Sequence, residues 1–245
     1  MKVPAPGERV FLSAEWRDLV MLNYEVEAGL LSPYIPPGTE LDIFDGRTFV
    51  SLVGFRFLQT KLLGIFPIPY HSNFDEVNLR FYVRRQEGAA LRRGVVFIRE
   101  IVPRRAIAGV ARLVYGENYT HHAMRHSIHK DGACYSAEYE WQFERRWCRL
   151  YADTTGIPAT PLEGGLEQFI TEHHWGYSRR RDGACVEYHV SHLGWQVWTA
   201  VSAGFEGDGE ALYGPGFGRV LARKPDSAFI ADGSPVQVFM GRRIS

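Results

Sequence analysis

Glu76, Arg80, Arg99 and Glu100 are charged side chains set in runs that otherwise read as buried strand, FDEVNLRFYV over 74–83 and RGVVFIREIV over 93–102. A charge among β-branched and aromatic neighbours is costly unless it is paired or put to use. A carboxylate near an Arg in such a place has its proton affinity set by desolvation and by the neighbouring cation. That is the equipment of an acid or base beside an anion clamp. Strand side chains alternate between faces. Asp75, Val77, Leu79, Phe81 and Val83 therefore share one face, a core face after its first residue. Glu76, Asn78, Arg80 and Tyr82 share the other. Two readings stand for that second face: a solvated outer surface, or the lining of a barrel or cleft. The following segment favours burial. Val95, Val96, Phe97 and Ile98 are apolar on both faces, and Arg99 and Glu100, which continue it, point to opposite sides.

Two further clusters join the candidate site. In Tyr115-Gly116-Glu117-Asn118-Tyr119, aromatic and amide groups with one acid suit a small-molecule pocket, and equally an ordinary sheet edge. In Glu172-His173-His174-Trp175, Glu172 and His174 share a face, and a His beside a carboxylate can move protons; His173 and Trp175 share the other. The expected site is thus Glu76 as the catalytic group, with Arg80, Arg99, Glu100, Tyr115, Glu117, Asn118, Tyr119, Glu172, His174 and Trp175 binding the substrate. No metal is expected. The nine histidines include no His-x-His or HExxH, and His122 and His126 would stand about 13 Å apart along a strand. No GxSxG, Walker A or GxGxxG precedes a suitable helix.

The elements that must hold these groups are mostly strands. Four Asp-Gly pairs, at 45–46, 131–132, 182–183 and 232–233, each fall between strand-like runs. Such pairs favour tight hairpins because both residues tolerate positive φ. The expected sheet is mostly antiparallel. Short helices are expected at 27–33, at 166–171 with Leu166, Phe169 and Ile170 inward, and near 218–222. Another should follow Pro103, where Ile107, Val110, Ala111 and Val114 share a face and Gly116 ends the run. The segment 62–72 reads as a lid or a crossover, and 153–165 as a long loop inside one domain spanning 1–245.

Lys+Arg and Asp+Glu are both 28, which argues against nucleic acid or an anionic membrane as the main partner. Three cysteines without CxxC imply neither a disulfide framework nor a zinc ribbon. The start, MKVPAPGERVFL, lacks the apolar core of a signal peptide, and no apolar run approaches the ~20 residues of a membrane span. A cytoplasmic, reduced setting is expected.

The segments AEWRDLVMLNYEV, LSPYIPPGTELD, FVSLVGFRF, FDEVNLRFYVRR, GVVFIREIVPR, YGENY and FITEHHWGY resemble the DUF2071, or YqjF-like, family of uncharacterised bacterial proteins over about residues 10–243. That family is similar to the acetoacetate decarboxylase superfamily. The resemblance implies a mainly β (α+β) fold, a large antiparallel sheet rolled into a cone-shaped barrel around a cavity, with a few short helices. It also leaves homo-oligomers open, since such folds often assemble. The superfamily's decarboxylase uses a Schiff-base lysine beside a second lysine. The matching stretch here, Tyr115–Tyr119, has no Lys, so no activated amine is expected and this chain is not expected to be an acetoacetate decarboxylase. The decarboxylase's acidic cavity residue corresponds to Glu76.

The first function reading is an enzyme that needs no cofactor and acts on a small carboxylate- or carbonyl-bearing molecule. The second is a small-molecule-binding or sensory module on the same barrel, and the third a purely structural protein. The fold alone does not choose among them.

Overall fold

A computed structural model describes residues 9–67, 72–103, 118–180 and 182–244. In chain order the elements are β1 (Val10–Val26), α1 (Ala28–Leu31), a 3-10 turn (Ser32–Tyr34), β2 (Glu40–Leu41), β3 (Thr48–Leu62), β4 (Phe66–Pro67), β5 (Phe74–Glu87), β6 (Ala90–Val102), β7 (Tyr119–His121), β8 (Met124–Asp131), β9 (Cys134–Phe143) and β10 (Arg146–Thr155). Then come α2 (Leu166–Thr171), β11 (Trp175–Arg179), β12 (Cys185–His192), β13 (Val197–Glu206), α3 (Gly209–Tyr213), α4 (Pro215–Leu221), β14 (Ser227–Phe239) and β15 (Arg242–Ile244). The helix expected after Pro103 lies outside the described residues. The segment expected to be a lid or crossover begins instead as a hairpin, with Phe66 and Pro67 paired back onto Leu62 and Lys61.

The strands run β12-β11-β6-β5-β3-β1-β14, and β14 pairs again with β12, so the sheet closes into a ring. From β14 the sheet continues outward through β13, β10, β9 and β8. Pairing is antiparallel except where β6 meets β11 and β7 in parallel, so the sheet is mostly antiparallel, as expected.

Both faces of the ring are covered, which is why its strands read as nearly continuous apolar runs. The outward side chains Val77, Leu79, Phe81 and Val83 of β5 pack with Tyr139, Trp141 and Leu150 of the outer sheet and with Leu212 and Phe217 of α3 and α4. Each such burial stabilises by about 1.5–3 kcal/mol. Inside the ring a second, aromatic core gathers Phe55, Phe57, Phe74, Trp195 and Phe229. At Asp18 (φ 58) β1 bulges. There the Asp18 carboxylate accepts from Tyr135 (2.7 Å), Lys130 (3.0 Å) and Arg56 (3.2 Å), tying the ring to the outer sheet.

Three of the Asp-Gly pairs lie at turns. Phe44 and Arg47 exchange backbone hydrogen bonds around Asp45 and Gly46, both at positive φ. In the β8–β9 hairpin Asp131 pairs with Cys134, so the turn falls on Gly132 and Ala133. Gly183 donates to the Arg180 carbonyl between β11 and β12. The fourth pair is not a hairpin, because Asp232 and Gly233 lie inside the single strand β14. Residues before them pair with β13 and residues after them with β12. Positive φ serves here to bend one strand from one neighbour to the next, which closes the ring. Gly233 (φ 81) also lies so close to Trp16 that a Cβ would run into that residue's carbonyl. Gly233→Ala should therefore cost at least about 2 kcal/mol, read as a lower urea midpoint with unchanged m.

Candidate active-site cavity

The ring encloses a cavity of about 250 Å³. Every ring strand contributes to its wall, for example Trp16 from β1, Phe55 from β3, Arg80 from β5, Phe97 from β6, Trp175 from β11, His192 from β12 and Val238 from β14. The wall is largely aromatic. Trp16 makes edge contacts with Phe55 (5.4 Å between centroids) and Phe57 (5.9 Å), and Phe57 stacks on Phe74 at 4.6 Å.

Strand β5 supplies the polar stripe. Glu76, Asn78 and Arg80 line the cavity, two residues apart on one face, and all are buried. Of the two readings of that face, the lining one holds. Glu76 accepts from Asn78 Nδ2 at 3.0 Å and from the Tyr119 hydroxyl at 3.4 Å. Burial pushes its pKa up to about 7, against the pull of those two hydrogen bonds and of Arg80. Arg80 Nε has no hydrogen-bond partner, and no carboxylate forms an ion pair with Arg80 among the described residues. A desolvated guanidinium without a contact ion is expensive, and an incoming anion would relieve that cost.

Glu100 also lines the cavity, and Arg99 does not. Between Leu79–Arg99 and Arg80–Phe97 the β5–β6 register slips by one residue. The bulge sends both Phe97 and Glu100 to the cavity, a common use of bulges beside sites. Arg99 lies on the outer side, 6.0 Å from the Tyr213 ring. Asn118 stays outside the cavity too; it is exposed and its amide donates to the Ile98 carbonyl at the bulge (3.1 Å). Tyr119 lines the cavity. Tyr115 and Glu117 lie outside the described residues.

The cluster after α2 is arranged differently from the expectation. Glu172 is exposed at the helix end, and His174 is half-buried against His192 (4.5 Å between rings) without lining the cavity. Trp175 lines it, with the Arg92 guanidinium over its ring at 4.2 Å. The histidine that faces the cavity is His173, which the sequence reading set on the Trp175 face and passed over. His173 Nε2 meets buried Asp42 at 3.0 Å, and Arg93 Nε meets the same carboxylate oxygen at 2.6 Å. Burial drives the Asp42 pKa upward, but the hydrogen bonds from His173 and Arg93 outweigh it and hold it below the ordinary value. Burial pushes His173 down to about 4, with Asp42 resisting. His173 is therefore neutral, Nε2 carries the proton toward Asp42, and Nδ1 keeps its lone pair. Nδ1 has no partner.

Sequence reasoning also missed Asn78 as a site group, although it shares the Glu76 face. It missed Glu187 as well, whose fully buried carboxylate is surrounded by Arg85, Arg92 and Arg242. No local pattern marks that second group, because its partners come from three strands. Among the described residues no three His, Cys, Asp or Glu side chains cluster as metal ligands, and no helix is long and apolar enough to cross a membrane.

The DUF2071 family model, described as an uncharacterised conserved protein, matches residues 13–235. The chain belongs to the DUF2071 family. A curated relative, protein YqjF of Bacillus subtilis, is 23% identical over 185 residues, covering 76% of this chain and 74% of that protein. Among solved structures, acetoacetate decarboxylase from Legionella pneumophila superposes with a TM-score of 0.66 at 14% identity, over 100% of this chain and 92% of the other. An acetoacetate decarboxylase-like enzyme from Sphingomonas wittichii gives 0.67 at 14%, over 100% and 97%. The enduracididine biosynthesis enzyme MppR, in complex with pyruvate, gives 0.67 at 15%, over 100% and 92%. The DUF2071 chain thus has the acetoacetate decarboxylase-like fold. Its lysines at 61, 130 and 224 are exposed, and none of them lines the cavity.

Proposed function

We propose that this DUF2071 protein is an enzyme that acts on a small carboxylate- or carbonyl-bearing metabolite inside the barrel, by acid–base chemistry that needs no cofactor. The observation that carries the reading is Arg80, a buried guanidinium without an ion pair on the wall of an enclosed aromatic cavity, on the same strand face as Glu76. Arg80 holds the substrate's anionic group. Glu76, with its pKa near 7, is matched to give or take a proton at neutral pH, where general acid–base catalysis works best. Tyr119 orients the Glu76 carboxylate, while Glu100 and Trp175 complete the wall. MppR, a relative in fold only, binds pyruvate, which supports a small carboxylate as the ligand class. The exposed lysines at 61, 130 and 224 supply no amine to the cavity, so the chemistry is of the proton-transfer kind: isomerisation, dehydration or hydrolysis.

The test is thermal unfolding of the protein against a panel of small oxo acids, hydroxy acids and lactones, followed by turnover assays on whatever stabilises it. A ligand that binds only the folded state at a hundred times its Kd adds about 2.7 kcal/mol, or several degrees in Tm for a chain of this size. Stabilisation by carboxylates with turnover that depends on Glu76 supports the enzyme. Stabilisation without turnover of any bound compound would leave the same cavity as a binding or sensory module. No stabilisation by any acid would end both readings.

A further inference from the structure

We propose that the cavity is built for a hydroxy carboxylate with an aromatic or similarly bulky apolar body, rather than for an oxo acid. The inference deepens the reading above and rests on Arg80 as the anion clamp. It comes from matching the hydrogen-bonding groups that the protein leaves unused on the cavity wall. Among the described residues, several side chains that line it carry a buried polar atom with no hydrogen-bond partner, among them Arg80 Nε, Trp16 Nε1, Thr60 Oγ1, Asn78 Oδ1 and His173 Nδ1. Buried polar atoms without partners are rare in folded proteins, and each asks for an explanation. Here the side chains that carry them line one cavity, so a ligand is the economical explanation.

The atoms divide by type. Arg80 Nε and Trp16 Nε1 can only donate, and together they suit a carboxylate. Thr60 can do either. Asn78 Oδ1 and His173 Nδ1 are acceptors, and both are fixed as acceptors by what their other ends do. The Asn78 amide nitrogen is committed to Glu76 Oε1 at 3.0 Å. The His173 Nε2–H is committed to Asp42 at 3.0 Å, and Asp42 is held ionised by Arg93. Two buried acceptors require a donor on the ligand. An oxo acid brings acceptors alone, and a plain alkanoate brings nothing beyond its carboxylate. An ammonium would also donate, and the carboxyls of Glu76 and Glu100 line the same wall, but it would bear the larger desolvation cost of carrying another charge into a largely aromatic cavity. A hydroxyl donates its one hydrogen to either acceptor without adding charge.

The size and lining point to the body of the ligand. The cavity's roughly 250 Å³ is many times the ~10–15 Å³ that one water needs. Lactate would leave most of that empty against Trp16, Phe57 and Trp195. An aryl or branched-alkyl group would fill it.

The experiment is calorimetric titration of the full chain with a matched set: 3-phenyllactate, 3-phenylpropanoate, phenylpyruvate, phenylalanine and lactate. In the wild type, 3-phenyllactate should bind about ten-fold or more tighter than each of the others, since a site holding unpaired acceptors discriminates strongly against analogues lacking the donor. In His173→Phe the advantage of phenyllactate over phenylpropanoate should shrink several-fold, while phenylpropanoate binding persists. The wild-type comparison stands even if that variant does not fold. If phenylpropanoate or phenylpyruvate binds as tightly as phenyllactate, and Arg80→Met abolishes binding, the hydroxyl inference is overturned while the anion clamp survives. A preference for phenylalanine or lactate overturns it equally. If no member of the set binds, the clamp itself is wrong and the inference falls with it.

Discussion

Arg80→Met should make the ligand-free protein more stable and nearly unable to bind carboxylates. The two effects have opposite signs because the same guanidinium causes both. In the free protein Arg80 is buried against aromatic rings and Nε has no partner. Desolvating a charge without a good contact ion costs several kcal/mol even after the protein relaxes, and the coulombic pull of Glu76 and the Tyr82 ring 6.0 Å away offset part of it. A methionine of similar length removes the charge and keeps the packing, so a gain of about 1–2 kcal/mol is expected, some 2–8 °C in Tm. Ligand binding reverses the balance. Removing one partner of a buried, hydrogen-bonded charge pair costs about 2–5 kcal/mol, so affinity for a carboxylate should fall at least about thirty-fold. Calorimetric unfolding gives the first quantity and titration with the best carboxylate gives the second. A variant that is less stable and binds unchanged would show Arg80 to be a structural cation, and the anion site would have to be sought elsewhere. The variant should also hold the Glu76 proton to higher pH, since the Arg80 charge is one of the influences that pull that pKa down.

The stripe that holds Arg80 is legible in the sequence, and the reason is local. Glu76 and Arg80 stand on one face of a strand whose other face is Val77, Leu79 and Phe81, so alternation alone separates the two sides. Alternation fails wherever the backbone skips a beat. The bulge in β6 puts Glu100 inside and Arg99 outside, and nothing in the run RGVVFIREIV announces it. The Asp-Gly pairs show the same limit. Positive φ is written in the residue types at 45–46 and at 232–233 alike, but whether it turns a hairpin or bends β14 between two neighbours depends on strands far away in the chain. His173 is the sharpest case. Its role comes from Asp42, 131 residues earlier, which fixes the tautomer and leaves Nδ1 free on the cavity wall. From the sequence, His174 beside Glu172 looked the better pair because those two are neighbours on one face. The helix end exposes Glu172 instead, and the pairing that matters is long-range.

Glu76→Gln should sharply lower turnover and also stabilise the protein at alkaline pH, and its pH dependence separates the two roles of that carboxyl. Burial raises the Glu76 pKa from 4.5 to about 7. The folded protein therefore holds this proton more tightly than the unfolded chain does. The stability that this provides is present below about pH 4.5 and is lost as pH rises to about 7, above which the buried carboxylate is ionised in both states. The penalty in the wild type above pH 7 is of the order of 3 kcal/mol, at 1.36 kcal/mol per unit. Gln keeps an acceptor for Asn78 Nδ2 and has no charge to desolvate. The stability difference between variant and wild type should thus be small near pH 5 and grow in favour of the variant up to about pH 8. Taking the difference matters, because the carboxylates held below their ordinary values, Asp18 and Asp42, lose their contribution as pH falls in both proteins alike and cancel. Catalysis runs the other way. Loss of the proton-transferring group should lower turnover by about 10²–10⁴ at every pH, and in the wild type the rate should change across pH 7 as Glu76 titrates. Urea unfolding of the pair from pH 5 to 8.5 measures the first effect, and a pH–rate profile measures the second. A flat stability difference would mean that Glu76 keeps an ordinary pKa in the cavity; a rate insensitive to the substitution would remove it from the chemistry and leave it as the group that orients Asn78.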